Sequence, residues 1–370
     1  MKILQLTAHF RPNIGGVETH LSDLCKSLSE RGFEITVLTY RPLETDLKWK
    51  IVEREKSLII IRIPWIPKLF YKLIESPLLE FCYLLPGLFL VTPFIILIKG
   101  LDVIIAHGLV AGFVGVVWGK VFHRKVIVVT HSIYNFPKKG LYRNFAIWIF
   151  SNASHNLGLS NQAVDEIKSL GVSKVSKFTY WIDLQKFDRV ENAKSQLGWK
   201  NKFTVLFVGR LVYGKGIEEL LESVKSWDKN ISLKIIGSGP LKTKVEQVIS
   251  KYKNVELIGF IDQAKLPAYY SGSDILIVPS THKEGFGRVI LESLACGTPV
   301  IGSNIGAIPE AMDNTVGRLI GISPINIKKA IEDLYNHKDM LEKITKNCRK
   351  FAERRYSEKN VEKIIEAYRR

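Results

Sequence analysis

Residues 274–303 read DILIVPSTHKEGFGRVILESLACGTPVIGS, and this stretch decides the fold. DILIVPS is a short run of strand formers, Gly285 and Gly287 punctuate a turn, RVILESLA has helical spacing, and PVIGS begins another strand. That is one turn of an α/β winding. An ideal helix advances about 100° per residue, so Glu284 and Glu292 on one helix would stand roughly 80° apart in azimuth and about 12 Å apart in rise. They are no close catalytic pair. The stretch makes better sense with Glu284 in the loop after the strand, Gly285 and Gly287 in the turn, and Glu292 in the second turn of the helix. Glycines let backbone N–H groups approach a ligand, and a helix N-terminus suits a phosphate. The two carboxylates would then accept hydrogen bonds from hydroxyls on either side, ribose on one and a sugar on the other.

The same alternation extends in both directions. Upstream, KILQLTAH, EITVLTY, SLIIIRIPW, DVIIAHG, KVIVVTHS and HNLGLS read as strands, with helices expected over Val17–Arg31, after Val110 and near Leu141–Ser151. A second series holds FTVLFVGRL, LKIIGSG, VELIGF, DILIVPS and PVIGS. The expected fold class is α/β, with two doubly wound Rossmann-like domains facing each other across a cleft. The domains are expected at 1–190 and 191–350, with a helix over 351–370 packing back on the first. At 370 residues the chain exceeds one typical core.

Lys and Arg number 53 against 36 Asp and Glu, a net charge of +17. Such a surplus either favours anionic partners such as nucleotide phosphates, acidic lipid surfaces or nucleic acid, or serves simple solubility. It is spread over both halves, 24 basic and 15 acidic groups in 1–190 against 29 and 21 in 191–370, so there is no basic tail. No nucleic-acid partner is expected. Cys25, Cys82, Cys296 and Cys348 lie far apart, which argues against a disulfide framework or a structural zinc site. A reducing cytoplasm fits. MKILQLTAHFRP is too short an apolar run for a signal peptide and reads as a first strand.

Phe81–Ile98, FCYLLPGLFLVTPFIILI, is an uncharged 18-residue run. Three readings are open: a membrane span, disfavoured by Pro86 and Pro93; a packed helix covering the first sheet; and a one-sided contact with an anionic membrane surface through 68–98, where Lys68 to Leu73 add a basic and aromatic mix.

Gly15-Gly16, between a strand and a helix, is either a tight turn or a set of backbone donors at a helix start. Arg210 and Lys215 follow the first strand of the second series. A departing diphosphate develops negative charge that fixed cations stabilise. With no Asp-any-Asp motif and no His/Asp cluster in the sequence, no metal or other cofactor is expected.

The combination of Gly15-Gly16-Val17-Glu18, Gly209-Arg210-Leu211 with Lys215-Gly216, Gly237-Ser238-Gly239-Pro240 and Glu284 through Pro299 resembles the family-4 retaining glycosyltransferases of GT-B fold, a family that includes the phosphatidylinositol mannosyltransferases and sucrose-phosphate synthases. The resemblance implies transfer of a sugar from a UDP- or GDP-linked donor to a glycan or lipid-linked acceptor, with retention, by front-side displacement, with acceptor binding by the 1–190 domain and nucleotide-sugar binding by the 191–350 domain. It implies that Glu292 holds ribose and Glu284 the donor sugar. Backbone groups at Phe286, Gly287, Arg288 and Val289, with Gly237, would meet sugar and phosphate. Arg210 and Lys215 match the diphosphate cations, Gly16 the glycine that approaches the phosphates, and His131 the histidine near the reacting carbon. Two departures stand out: Tyr180-Trp181-Ile182-Asp183 replaces Asn-Gly-Val-Asp, and Gly214 stands where an acidic residue often precedes the lysine.

Rival classes fit less well. A glycoside hydrolase needs two carboxylates roughly 5 to 10 Å apart and has no use for Arg210 and Lys215. A nicotinamide dehydrogenase would carry Gly-any-Gly-any-any-Gly after its first strand, which is absent. A non-catalytic nucleotide-sugar or glycolipid-binding protein of the same fold is the alternative that the sequence leaves open.

Overall fold

The computed structural model describes residues 1–13, 15–43, 47–67, 76–200 and 202–369. The chain divides into two compact units, Met1–Thr179 with Asn360–Arg370, and Tyr180–Lys359, whereas the sequence placed the division after residue 190. Residues 180–190 go with the second unit for a physical reason. Arg349 donates to the carbonyls of Phe187 and Leu184 at 2.7 and 3.1 Å, and Ile182 N–H donates to Tyr356 O at 2.9 Å.

The first unit is built on an eight-stranded sheet of β1 (Lys2–Leu6), β2 (Glu34–Tyr40), β3 (Val52–Glu55), β4 (Leu58–Ile63), β5 (Val103–His107), β6 (Lys125–Thr130), β7 (His155–Gly158) and β8 (Val175–Lys177). The spatial order is β3-β4-β2-β1-β5-β6-β7-β8, and only β3 runs antiparallel, as a hairpin with β4. Its sequence, VERE, is polar because an edge strand faces water. The central strands KILQL, VIIAH and KVIVVT are apolar along nearly their whole length because helices cover both faces of a parallel sheet. Those helices include α1 (Gly16–Glu30), α2 (Pro77–Lys99), α3 (Gly108–Val121), α4 (Leu141–Asn152) and α5 (Asn161–Ser169). Strand order reverses between β1 and β5, the place where such sheets bind ligands beyond their C-terminal strand ends.

Helix α2 is the apolar run singled out in the sequence. Residues 68–75, part of the proposed membrane segment, lie outside the described residues. Two internal prolines interrupt its hydrogen-bond ladder, and at Pro93 a neighbouring side chain fills the gap. Pro93 has no N–H for the carbonyl of Phe89, and Trp118 of α3 donates its Nε1–H there instead, at 2.9 Å. On the sheet side the Tyr40 hydroxyl accepts from Leu88 N at 3.0 Å and donates to Leu84 O. Gly87 permits this approach, since a Cβ there would come within 2.6 Å of the Tyr40 ring. One face of α2 is therefore packed, with Leu84, Leu88 and Ile96 buried, as in a helix covering a sheet. The other face leaves Leu90, Phe94, Leu97 and Ile98 exposed, at the spacing of a single helical stripe.

The second unit carries β9 (Phe203–Val208), β10 (Ile231–Ile236), β11 (Val255–Gly259), β12 (Ile275–Val278), β13 (Val300–Ser303) and β14 (Gly317–Ile320), all parallel, in the order β11-β10-β9-β12-β13-β14. The order reverses between β9 and β12. Its helices are α6 (Ala193–Gln196), α7 (Ile217–Val224), α8 (Lys242–Ile249), α9 (Leu266–Ser271), α10 (Arg288–Ala295), α11 (Ile308–Ala311), α12 (Pro324–Asn336) and α13 (Lys338–Tyr356). The last helix, α14 (Lys359–Arg369), returns to the first unit, where Glu362 pairs with Arg31 at 3.0 Å and Lys125 donates to Tyr368 O at 3.2 Å. The single helix expected over 351–370 is thus two, α13 and α14, separated by Ser357 and Glu358.

Candidate active site

The predicted residues divide between the two units, and in each they follow strands at the reversal of strand order or next to it. In the second unit, β9 leads into the loop of Arg210 and Lys215, and β12 into the loop of Glu284. These loops are neighbours because β9 and β12 are paired. Lys215 Nζ lies 2.8 Å from Glu284 Oε1, which also accepts from the Ser280 hydroxyl. Burial pushes the Glu284 carboxyl up. The Lys215 charge and hydrogen bond, Ser280 and the charge of His282 outweigh it and hold the group below the ordinary carboxylate range. Glu284 is thereby kept as an anion, able to accept hydrogen bonds from hydroxyls.

The lysine loop can lie this close because of its glycines. Gly216 has φ of 70°, and a Cβ there would fall 1.7 Å from Pro279 O. Gly214, the departure noted in the sequence, has φ of 82°, and its carbonyl takes hydrogen bonds from Thr281 N at 2.9 Å and His282 Nδ1 at 2.6 Å. An acidic side chain at 214 would run into the His282 ring, since even a Cβ lies 2.9 Å from Nδ1. Gly237 has a similar packing role. Its Cβ would meet Gly209 O at 1.9 Å, so the loops after β9 and β10 touch backbone to backbone.

Gly287, with φ of 76°, caps α10, and Arg288 and Val289 form its first turn. That turn presents backbone N–H donors and the positive end of the helix dipole. The ring of Phe286 is buried edge-on to Tyr180 and Tyr356, with centroids at 6.1 and 5.9 Å, so it anchors the loop while its backbone lines it. Trp181, the second departure, is buried as well. Glu292 sits one turn after Arg288, and both are buried. Its carboxylate accepts from Arg288 Nε at 3.1 Å and from the Tyr270 hydroxyl at 2.8 Å. Burial, then the charge and hydrogen bond of Glu292, raise the Tyr270 phenol well above its ordinary value and keep it a donor. Arg210 lies at the exposed mouth of its loop.

In the first unit Gly16 opens α1 as an exposed residue, and His131 follows β6 as a buried one. His131 Nε2 lies 2.9 Å from Nδ1 of His107 at the end of β5, and His107 Nε2 lies 2.7 Å from Gln5 Oε1 on β1. Burial drives His131 down to about 3, and burial plus the charge of His131 drive His107 well below its ordinary value, so both rings are neutral. Sequence reasoning missed His107, Gln5, Tyr270 and Ser280. His107 alone carried a signal, as a histidine ending an apolar strand next to a glycine. Among the described residues no group of three or more His, Cys, Asp or Glu side chains is placed to hold a metal ion.

Two family models match the chain in succession, glycosyltransferase family 4 over residues 14–185 and glycosyl transferases group 1 over 189–351. An uncharacterised 41.2 kDa protein in the cps region of Klebsiella pneumoniae is 31% identical over 50% of this chain and 51% of its own length, so the chain matches about half of that relative. An uncharacterised glycosyltransferase of Methanocaldococcus jannaschii is 26% identical over 100% of this chain and 98% of its own. Sucrose-phosphate synthase from Thermosynechococcus elongatus superposes with a TM-score of 0.86 at 23% identity, covering 100% and 98% of the two chains. HepE of Anabaena, solved in complex with UDP-glucose, gives a TM-score of 0.76 at 20% identity over 99% of each chain. Two doubly wound units with this strand order define a GT-B fold. The chain belongs to the GT-B glycosyltransferases, with a family-4 first unit and a group-1 second unit.

Proposed function

We propose that this glycosyltransferase moves a hexose from a UDP- or GDP-linked donor to a glycan or lipid-linked acceptor of the cell envelope, with retention of configuration and without a metal. The observation that carries the reading is the Lys215–Glu284 pair beside the N-terminus of α10, which sets a cation, an anion and backbone donors at one switch point. Lys215 and Arg210 would neutralise the diphosphate, Glu284 would hold the sugar hydroxyls, and Glu292 would face the ribose. The UDP-glucose complex of the Anabaena neighbour supports a nucleotide-sugar donor. In front-side displacement the acceptor oxygen bonds to the anomeric carbon on the face the diphosphate leaves. The C–O electron pair goes to the phosphate oxygen, which takes the acceptor proton. His131 would meet the donor sugar and Gly16 the phosphates. The exposed stripe of α2, ending at Lys99, supports attachment to the inner face of a membrane where lipid-linked acceptors reside, and the four unpaired cysteines suit the cytoplasm.

A donor screen tests the reading. Purified protein is offered UDP- and GDP-linked hexoses, and released nucleoside diphosphate is followed with calorimetry in parallel. Release from one donor, faster with an acceptor glycan or lipid extract, is expected. Binding without release from any donor would leave a sugar-nucleotide binder in place of an enzyme.

A further inference from the structure

Three buried polar side chains cross the first sheet at its switch point, one from each of three adjacent strands or their ends. Gln5 on β1, His107 on β5 and His131 just after β6 form a row with 2.7 and 2.9 Å between successive polar atoms. All three are at least nine-tenths buried, so each proton in the row must be matched to an acceptor. Gln5 presents its carbonyl oxygen, so the Nε2 of His107 carries the proton. Its Nδ1 then has a lone pair, and the Nε2 of His131 is the donor that meets it. With Nε2 protonated, Nδ1 of His131 is an acceptor. The His107 and His131 rings lie nearly parallel, 27° between planes and 5.1 Å between centroids, and Phe178 and His20 meet the His131 ring edge-on at 5.7 and 6.0 Å. The plane of His131 is set by packing and its tautomer by a neighbour.

We infer that His107 is a positioning residue for His131: it accepts the His131 Nε2 proton and fixes that ring as the Nε2–H tautomer in which it meets the donor sugar. A ring of mixed tautomer would meet the sugar in two hydrogen-bonding states, and only one of them matches a given sugar group. The inference rests on the reading of His131 as the histidine that meets the sugar, and the two can fail separately. Gln5 acts one step further back, by holding His107.

The test uses the full chain labelled with 15N-histidine, in which long-range proton–nitrogen correlations tell a protonated ring nitrogen from a bare one. His131 is assigned by the loss of its signals in His131→Gln. In the wild type His131 is expected as the Nε2–H tautomer. His107→Leu is expected to scramble it and to lower kcat about tenfold, in the range usual for removing an orienting partner, with the affinity for free nucleoside diphosphate unchanged. His107→Asn, whose Oδ1 can occupy the place of Nδ1 and accept the same proton, is expected to recover the tautomer and most of the turnover. An unchanged His131 tautomer in His107→Leu overturns the inference, as does loss of the Nε2–H form in a folded His107→Asn, which decides the question if the leucine variant does not fold. Full turnover in His131→Gln would instead overturn the sugar-contacting reading of His131, while the nitrogen shifts still report whether His107 sets its tautomer.

Discussion

Lys215 and Glu284 form an ion pair of 2.8 Å that joins the loop after β9 to the loop after β12, where the second sheet reverses its strand order. Lys215→Ala removes the main opposing charge from a carboxyl that burial pushes up. Its pKa is expected to rise, so the acid limb of the kcat profile should move to higher pH. Turnover is expected to fall at least tenfold, about 1.4 kcal/mol of barrier. Glu284→Ala should lose at least as much with no shifted limb. Rate against pH for the three proteins checks both outcomes, and near-normal rates would remove these roles.

Glu292 answers to two demands at once, because its carboxylate neutralises buried Arg288 as well as facing the proposed ribose site. Glu292→Gln removes a carboxylate charge that buried Arg288 pairs with, which costs about 3 to 5 kcal/mol. Arg288→Leu with Glu292→Leu removes both charges and is expected to recover much of that loss in urea unfolding while nucleotide affinity stays low. If both variants were equally unstable, the ion pair would not be the cause.

Gly216→Ala should destabilise the second unit and weaken nucleotide binding together. Its Cβ would stand 1.7 Å from Pro279 O at φ of 70°, so the lysine loop must move away from β12. A cost of about 2 kcal/mol or more is expected, read as a fall in Tm and a rise in the Kd for UDP or GDP. Gly32→Ala, also at positive φ but with open space around it, supplies the control in the first unit: a modest loss of stability and unchanged nucleotide affinity.

The histidine pair predicts a pH dependence of folding. Both rings have lowered values in the folded state, His131 near 3, against about 6.5 when unfolded. The unfolded chain therefore binds more protons across that window, and stability is complete above pH 6.5 and lost as the pH falls toward 3. With two groups the slope approaches about 2.7 kcal/mol per pH unit. Urea midpoints of the wild type and of His131→Gln between pH 4 and 7 should show the smaller slope in the variant.

Membrane attachment through α2 predicts that the protein floats with vesicles containing anionic lipid and stays behind with neutral ones. Leu90, Phe94 and Leu97, all exposed, can be changed to Ser without touching the packed face. That triple variant is expected to lose flotation and to keep its Tm. Flotation unaffected by the substitutions would assign the stripe another role.

The fold was legible because both signals it needs are local. Apolar runs such as VIIAH and ILIV announce buried parallel strands, and the glycines at 285 and 287 announce where one becomes a helix. The edge strand β3 was not legible, since VERE pairs only with its neighbour and has no apolar face to show. At the site, the placement of Glu284 in a loop and Glu292 in the second turn of α10 followed from helix geometry. What holds them did not. Tyr270 reaches Glu292 from another helix, Lys215 reaches Glu284 across two strands, and His107 meets His131 only because β5 and β6 are neighbours. Such pairings belong to sheet order, which a single sequence does not spell out.

The return of α14 to the first unit sets the order in which the molecule can be finished during synthesis. Residues 1–179 leave the ribosome without the helix whose Ile364, Ile365 and Tyr368 are buried in the folded unit. At 5 to 20 residues per second, the intervening second unit takes roughly 10 to 40 s to make. Throughout that delay the surface around Arg31 and Lys125 lies bare, and the second unit has all its residues before the first does. The unit that begins the chain is the last to close.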